Sequence, residues 1–156
     1  MSVEIVRNAP VRKEYACALE ALKPILYNLP PIIVAIDGRV GTGKTTLGRF
    51  LAWRFNITLV ETDLFMHRKN GEFVYKNGQV AEIIDYRLNK DRPVIVEGVV
   101  ALRLLEEMNH EPKFHIHLIC EESQGLSITE REWEKYNNQY NPSKKAQLIL
   151  TLPPRS

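Results

Sequence analysis

The chain has 156 residues, of which 44% are hydrophobic and 26% are charged. This balance is that of an ordinary globular protein, excludes a disordered tail, a collagen-like fibre or a repeat array, and favours one domain over residues 1–156. The net charge of +2 gives no reason to expect a nucleic acid or an acidic membrane as partner.

Patterns typical of helices and strands alternate along the chain. An N-terminal helix is expected within residues 1–30, over 11–29, with Pro24 ending or kinking it. Apolar runs without alternation predict buried strands, and helical spacing or capping boxes (Ser127-x-x-Glu130, Thr129-x-x-Glu132) predict helices. The strands are expected at 32–36, 57–60, 93–96, 114–119 and 147–151, and the later helices at 47–55, 81–90, 102–108 and from 127 or 129 to about 138. Such alternation predicts a three-layer α/β/α sandwich around a parallel sheet of five strands.

Residues 63–80 interrupt this pattern. Asn70-Gly71 and Asn77-Gly78 flank the short apolar run 73–75, and Asn-Gly pairs are strong turn signals. We therefore expect a small irregular or hairpin insertion here.

A phosphate-binding loop follows the first buried strand. Residues 38–45 fit G-x-x-x-x-G-K-[ST] without a mismatch, between an expected strand and an expected helix. Such a loop turns its backbone N–H groups around phosphates, its lysine reaches the β- and γ-phosphates, and Thr45 ligates Mg²⁺. The predicted ATP-binding residues are Gly38, Arg39, Val40, Gly41, Thr42, Gly43, Lys44, Thr45 and Thr46.

Two acidic residues follow the next strands. Asp63 lies just past the second strand and Glu97 ends the third, and ligands of open parallel sheets bind beyond the carboxyl ends of strands. We expect Asp63 to accept the proton of an acceptor hydroxyl and Glu97 to hold Mg²⁺ with Thr45, directly or through water. For Asp37, directly before the loop, a cap or a loop-stabilising hydrogen bond is at least as well supported as a catalytic role.

Over about residues 32–150, the chain resembles the uridine kinase and phosphoribulokinase group of P-loop kinases. The resemblance is carried by residues 37–46, Asp63-Leu64-Phe65-Met66, 96–102, and a C-terminal piece that runs from Glu134-x-Tyr136 to Ile149. It implies the sheet order 2-3-1-4-5, a catalytic base at Asp63 and an acceptor pocket after Asp63. Lys44 and Asp63 are therefore the predicted catalytic residues. It also implies an ATP- and Mg²⁺-dependent kinase that phosphorylates a hydroxyl of a nucleoside-like or sugar-like small molecule.

The expected lid departs from that group. Family members usually carry an arginine-bearing lid after the fourth strand, whereas residues 121–125 here are acidic and short. Arg131 is the first arginine afterwards and is one candidate to substitute for the lid arginine, although a solvated helix residue is the better-supported expectation. Arg39 inside the loop is a second candidate for a charge near the phosphates.

Acceptor-side residues are predicted from their position after the two acidic segments. Arg68, Tyr75 and Arg103 join Asp63 as candidate substrate-binding residues. His115 and His117 alternate on the fourth strand, and without a third ligand nearby we expect them on a strand face or edge rather than on a metal.

Two other functions stay open on the sequence alone: a regulatory nucleotide-dependent switch, and a degenerate nucleotide-binding scaffold. Guanine specificity is unsupported, because Asn89-Lys90-Asp91 is one residue short of N-K-x-D and precedes the third strand.

Two widely separated cysteines, Cys17 and Cys120, predict a reducing compartment, and no signal peptide or apolar run of membrane length is seen. We therefore expect a soluble cytoplasmic protein that binds no membrane; the sequence leaves its oligomeric state open.

Overall fold

A parallel sheet of five strands forms the centre of the computed structural model, which describes residues 12–121 and 127–153. The strands are β1 Ile33–Gly38, β2 Thr58–Glu61, β5 Val94–Glu97, β6 Phe114–Cys120 and β7 Leu148–Leu152. Their spatial order is β2-β5-β1-β6-β7, which is 2-3-1-4-5 when only the strands of this sheet are numbered. The predicted fold class and strand order are therefore confirmed.

Helices cover both faces of the sheet. The helices are α1 Lys13–Ile25, α2 Lys44–Phe55, α3 Asn77–Asn89, α4 Ala101–Glu107, α5 Ser127–Tyr140 and the short α6 Pro142–Lys145. Helices α1 and α2 pack on one face, and α3, α4 and α5 contribute buried side chains to the core on the other face. Among the described residues, no helix is long and apolar enough to cross a membrane.

The central strand β1 is buried along its whole length. Val34 and Ile36 point into the α1/α2 core, whereas Ile33 and Ala35 point into the core under α3 to α5. Because side chains alternate along a strand, Asp37 points to the same face as Ala35. This alternation decides which side of the sheet each functional group reaches.

An antiparallel hairpin follows β2 and a 3₁₀ turn at Thr62–Phe65. Strands β3 (Met66–Lys69) and β4 (Glu72–Tyr75) pair through a two-residue turn at Asn70 and Gly71, which have φ values of 52° and 79°. Two consecutive positive φ angles are what Asn-Gly supplies in a tight hairpin turn. The predicted hairpin is therefore present.

Two helix starts differ from the sequence prediction. Helix α3 begins at Asn77 rather than near residue 81, so the second Asn-Gly pair opens a helix, and the Asn77 side-chain amide donates to Glu107 on α4. Helix α2 begins at Lys44 rather than residue 47, so the last residues of the phosphate loop form its first turn. At the N-terminus, Pro24 lies one residue before the end of α1. The predicted part of that helix at residue 11 and the lid positions 122–125 lie outside the described residues.

Candidate active site

The phosphate loop connects β1 to α2 and is shaped by three glycines. A Cβ atom at Gly38 would lie 2.6 Å from the Leu118 carbonyl oxygen, so the neighbouring strand leaves no room for a side chain. Gly41 and Gly43 have φ values of 80° and 93°, which L-residues rarely adopt. These conformations turn the backbone into a concave loop at the N-terminus of α2, which is a favourable place for an anion.

Lys44 lies inside this loop and is 6% exposed. Its ammonium group donates a hydrogen bond of 2.8 Å to the Arg39 carbonyl oxygen. Burial lowers the pKa of Lys44, although the carboxylates of Glu97, Asp63 and Asp37 oppose that effect. The lysine is therefore held at the loop, with acidic groups from three strand ends around it.

Thr45 and Glu97 are in direct contact. The Thr45 hydroxyl donates a hydrogen bond of 2.9 Å to Glu97 Oε1, while Oε2 is buried without a hydrogen-bond partner among the described residues. Burial raises the pKa of Glu97 to about 6, against the opposing effects of Thr45 and Lys44. A hydroxyl beside a carboxylate with an unsatisfied oxygen is an oxygen donor set of the kind that Mg²⁺ prefers.

Asp63 is brought to the same place by the 3₁₀ turn after β2. It is exposed and lines a cavity of about 160 Å³ together with Val99 and five loop residues, Val40, Gly41, Gly43, Lys44 and Thr45. A Cβ atom at Gly98 would collide with Thr62 Oγ1, so this turn packs closely on the end of β5. The structure thus brings together the predicted residues Lys44, Thr45 and Asp63.

The predicted acceptor-side residues are only partly together. Tyr75 interacts electrostatically with both Asp63 and Arg103, and burial and the neighbouring carboxylates raise the pKa of Tyr75. The Tyr75 hydroxyl and the Arg103 Nε are both buried without a hydrogen-bond partner in the described part of the chain. Arg68, in contrast, is exposed on the hairpin strand β3.

Glu132 belongs to this group although the sequence did not predict it. It is 6% exposed and lies 3.6 Å from Arg103 Nη1. The sequence assigned it to a capping box, but α5 already begins at residue 127, so Glu132 lies in the second turn. The only signal in the sequence was its spacing from Tyr136, which puts both residues on one helix face.

Neither of the two arginine candidates lines the cavity. Arg39 pairs with Glu130 of α5 at 3.1 Å, and its guanidinium lies 6.0 Å from the Trp133 ring. Arg131 is exposed on the same helix. The acidic lid residues 122–125 lie outside the part of the chain that the structure describes.

Asp37 makes a second polar cluster that the sequence did not reveal. Its carboxylate contacts the imidazoles of His115 and His117 and accepts a hydrogen bond from the Tyr136 hydroxyl. Burial acts to raise the pKa of Asp37, but the hydrogen bonds with the two histidines outweigh it, and the pKa is lowered. The two histidines lie on a face of β6, one of the two expected placements, and not at a sheet edge, because β6 lies between β1 and β7. The expectation that no third ligand lies nearby is wrong, because the Asp37 carboxylate contacts both imidazoles.

Comparison with solved structures shows the fold. The chain is similar to a possible uridine kinase from Bacillus stearothermophilus, with a TM-score of 0.62 and 14% identity over 89% of this chain and 98% of that one. It is also similar to a sugar kinase from a Janibacter species, with a TM-score of 0.53 and 15% identity over 80% and 86% of the two chains. No protein-family model and no curated protein matches the chain. The molecule therefore has the fold of P-loop kinases.

Proposed function

We propose that this protein is an ATP-dependent small-molecule kinase, which transfers the γ-phosphate of ATP to a hydroxyl of a nucleoside-like or sugar-like acceptor. One observation carries the proposal: the exposed carboxylate of Asp63 lines the same cavity as Lys44 and Thr45 of the phosphate loop. A nucleotide-binding loop alone fits many functions. A free carboxylate at its mouth fits transfer to a hydroxyl.

The loop would hold the nucleotide through its backbone. Its glycines leave the N–H groups accessible, and Lys44 has an ammonium group to place against the outer phosphates. The proposed ATP-binding residues are those of the whole segment from Gly38 to Thr46. The positive end of α2 would add to the attraction for the phosphates.

Thr45 and Glu97 are the proposed Mg²⁺ residues. The orphaned Oε2 of Glu97 supports this assignment, because a buried carboxylate oxygen without a partner is costly unless a cation or a donor satisfies it. When bound, Mg²⁺ neutralises charge on the phosphates. The protein's own part is to hold the two oxygen ligands 2.9 Å apart.

Asp63 is the proposed general base. It would orient the acceptor oxygen in line with the γ-phosphate and accept its proton. The rigid turn that carries it, pressed against Gly98, supports a fixed position.

The acceptor is proposed to lie between the hairpin of the 63–80 insertion and α5. The Tyr75 hydroxyl, which has no hydrogen-bond partner among the described residues, supports this location, since a substrate hydroxyl oxygen would accept from it. Arg103, which forms ion pairs with Glu107 and Glu132, is the second proposed contact. Arg68 on the hairpin is the outermost proposed contact. The spacing of the two cysteines supports a cytoplasmic enzyme.

The experiment is a coupled assay of ADP release over nucleosides, sugars, vitamins and their phosphates, with and without each acceptor. A kinase releases ADP only when its acceptor is present. A regulatory switch instead hydrolyses ATP at a rate that no acceptor changes, and a degenerate scaffold binds ATP without turnover. Either of these last results contradicts the proposal.

A further inference from the structure

Asp37, His115 and His117 form a compact cluster apart from the phosphate cavity. The His115 Nε2 and the His117 Nδ1 each lie 2.7 Å from the same oxygen, Oδ1 of Asp37. All three side chains are buried, with exposures of 0 to 6%. Their three ligand atoms lie within 4.8 Å of one another.

The sheet itself makes this arrangement. His115 and His117 are two residues apart on β6, so both project from the same face. Asp37 on β1 is the register partner of His117, and Ala35 is the partner of His115. The small side chain of Ala35 leaves space for the neighbouring imidazole, and all three groups point towards α5.

No lysine or arginine of the described residues forms an ion pair with Asp37. Only His115 and His117 bring a basic nitrogen within 4.0 Å of its carboxylate, and Lys44 acts on it electrostatically from a greater distance. A buried carboxylate is costly without a compensating charge. Two imidazoles and a carboxylate are also a donor set that suits divalent transition metals.

We propose that Asp37, His115 and His117 bind a divalent transition-metal ion of the Zn²⁺ class. Tetrahedral ligation at about 2.0–2.1 Å needs ligand atoms about 3.3 Å apart, so the imidazoles would retreat from Asp37 by about half an ångström each. Water would supply the fourth ligand.

The surroundings of the cluster suit such an ion. Tyr136 donates a hydrogen bond of 2.5 Å to the second carboxylate oxygen of Asp37, which orients it in the manner of an outer-sphere partner. The Trp133 ring stacks on His117 at 5.9 Å between centroids and 11° between planes, which fixes that imidazole. His115 also lines a cavity of about 660 Å³ beside α4 and α6, which offers an entry path.

This site is separate from the proposed Mg²⁺ site. Glu97 shares a sheet face with Ile95 in the α1/α2 core, whereas Asp37 points to the opposite face. The two sites also differ in chemistry, since Thr45 and Glu97 offer only oxygen ligands. An imidazole-rich site selects against Mg²⁺.

The test is titration of the chelator-stripped full chain with Co²⁺ in excess Mg²⁺ and without nucleotide. Visible absorption reports the geometry, and mass spectrometry of the dialysed protein gives the stoichiometry. We expect one tetrahedral Co²⁺ per chain, displaced by Zn²⁺. Asp37→Asn and His117→Gln should weaken binding by more than about 100-fold, and Tyr136→Phe by about 10–100-fold or less.

Two control variants decide where the ion binds. Glu97→Gln removes the oxygen site, and His67→Gln removes an exposed histidine on β3; both should bind Co²⁺ as the wild type does. Circular dichroism verifies that each variant is folded, and if a ligand variant fails to fold, the wild-type stoichiometry and spectrum still decide. Absence of bound Co²⁺ in the wild type, its loss in Glu97→Gln, or its survival in folded Asp37→Asn and His117→Gln overturns the proposal.

Discussion

The Thr45 hydroxyl donates a 2.9 Å hydrogen bond to the Glu97 carboxylate, which joins the first turn of α2 to the end of β5. The contact arises because β5 is the parallel neighbour of β1, so that the end of β5 lies beside the phosphate loop that follows β1. The phosphate-loop motif, which lies between β1 and α2, is therefore in contact with an acidic side chain at the end of a different strand. In the proposed mechanism, a cation would meet the phosphates at this contact.

Glu97 predicts a measurable pH dependence of the metal-free protein. Burial raises its pKa from 4.5 to about 6, so the native state holds a proton that the unfolded chain has released in that window. The Glu97 contribution to the free energy of unfolding therefore falls by about 2 kcal/mol as the pH rises from below 4.5 to above 6. Urea denaturation in chelator at pH 4 and pH 7 should show this fall in the wild type relative to Glu97→Gln. Equal pH dependence in both proteins would contradict a raised pKa of the buried Glu97 carboxyl.

Lys44→Ala should leave the fold intact and weaken ATP turnover by about 100-fold or more, because one preorganised cationic donor to the phosphates is lost. Isothermal calorimetry with ATP and Mg²⁺ measures the binding part of this effect. Lys23→Ala is the matched control, since Lys23 pairs with Glu20 on the surface of α1. Equal ATP affinity in wild type and Lys44→Ala would contradict the proposal that Lys44 of the loop binds the phosphates of ATP.

Much of this site could be predicted from the sequence because the motif has a fixed place in a fixed fold. The spacing of Gly38 and Lys44 determines a strand, a loop and a helix in order, and Glu97 follows from its place at a strand end. Asp63 is similar, since chain order alone puts it at the carboxyl end of β2. These inferences need no knowledge of side-chain direction.

The cluster around Asp37 could not be predicted in this way. His115 is 78 residues from Asp37 along the chain, and their contact depends on the register of β1 against β6, which no local pattern encodes. Glu132 could not be predicted as a site residue for a related reason, because its burial depends on which face of α5 turns towards Arg103. The start of α3 at Asn77 shows that an Asn-Gly pair is a turn signal that helix packing can override.

Gly98→Ala should destabilise the protein by about 1–3 kcal/mol, because the new methyl group collides with Thr62 Oγ1 under the turn that carries Asp63. Thr62→Ala removes that hydroxyl, which is buried without a hydrogen-bond partner in the described structure. The double variant should therefore regain part of the loss. Denaturant unfolding of the four proteins gives the coupling between the two sites. If the effects of Gly98→Ala and Thr62→Ala on the free energy of unfolding are additive, the close packing of Thr62 on Gly98 is contradicted.

Asp63→Asn separates a kinase from a nucleotide switch. The substitution keeps the shape of the side chain and removes its charge, and positioned general bases contribute about 10²–10⁴-fold. Acceptor-dependent ADP release should fall by that factor, while ATP affinity stays close to the wild-type value because Asp63 acts on the acceptor. Glu72→Gln, an exposed acidic residue on the neighbouring hairpin, is the matched control.

The informative measurement for Asp63 is turnover at saturating ATP, with and without an acceptor found in the screen. A protein that acts as a switch would hydrolyse ATP without an acceptor, and Asp63→Asn would change that rate little. The kinase proposal instead requires that wild type and Asp63→Asn differ only when the acceptor is present, because the carboxylate has no proton to accept without it. If Asp63→Asn phosphorylates a confirmed acceptor at the wild-type rate, Asp63 is not the base, and the acceptor oxygen is oriented by another group of the cavity.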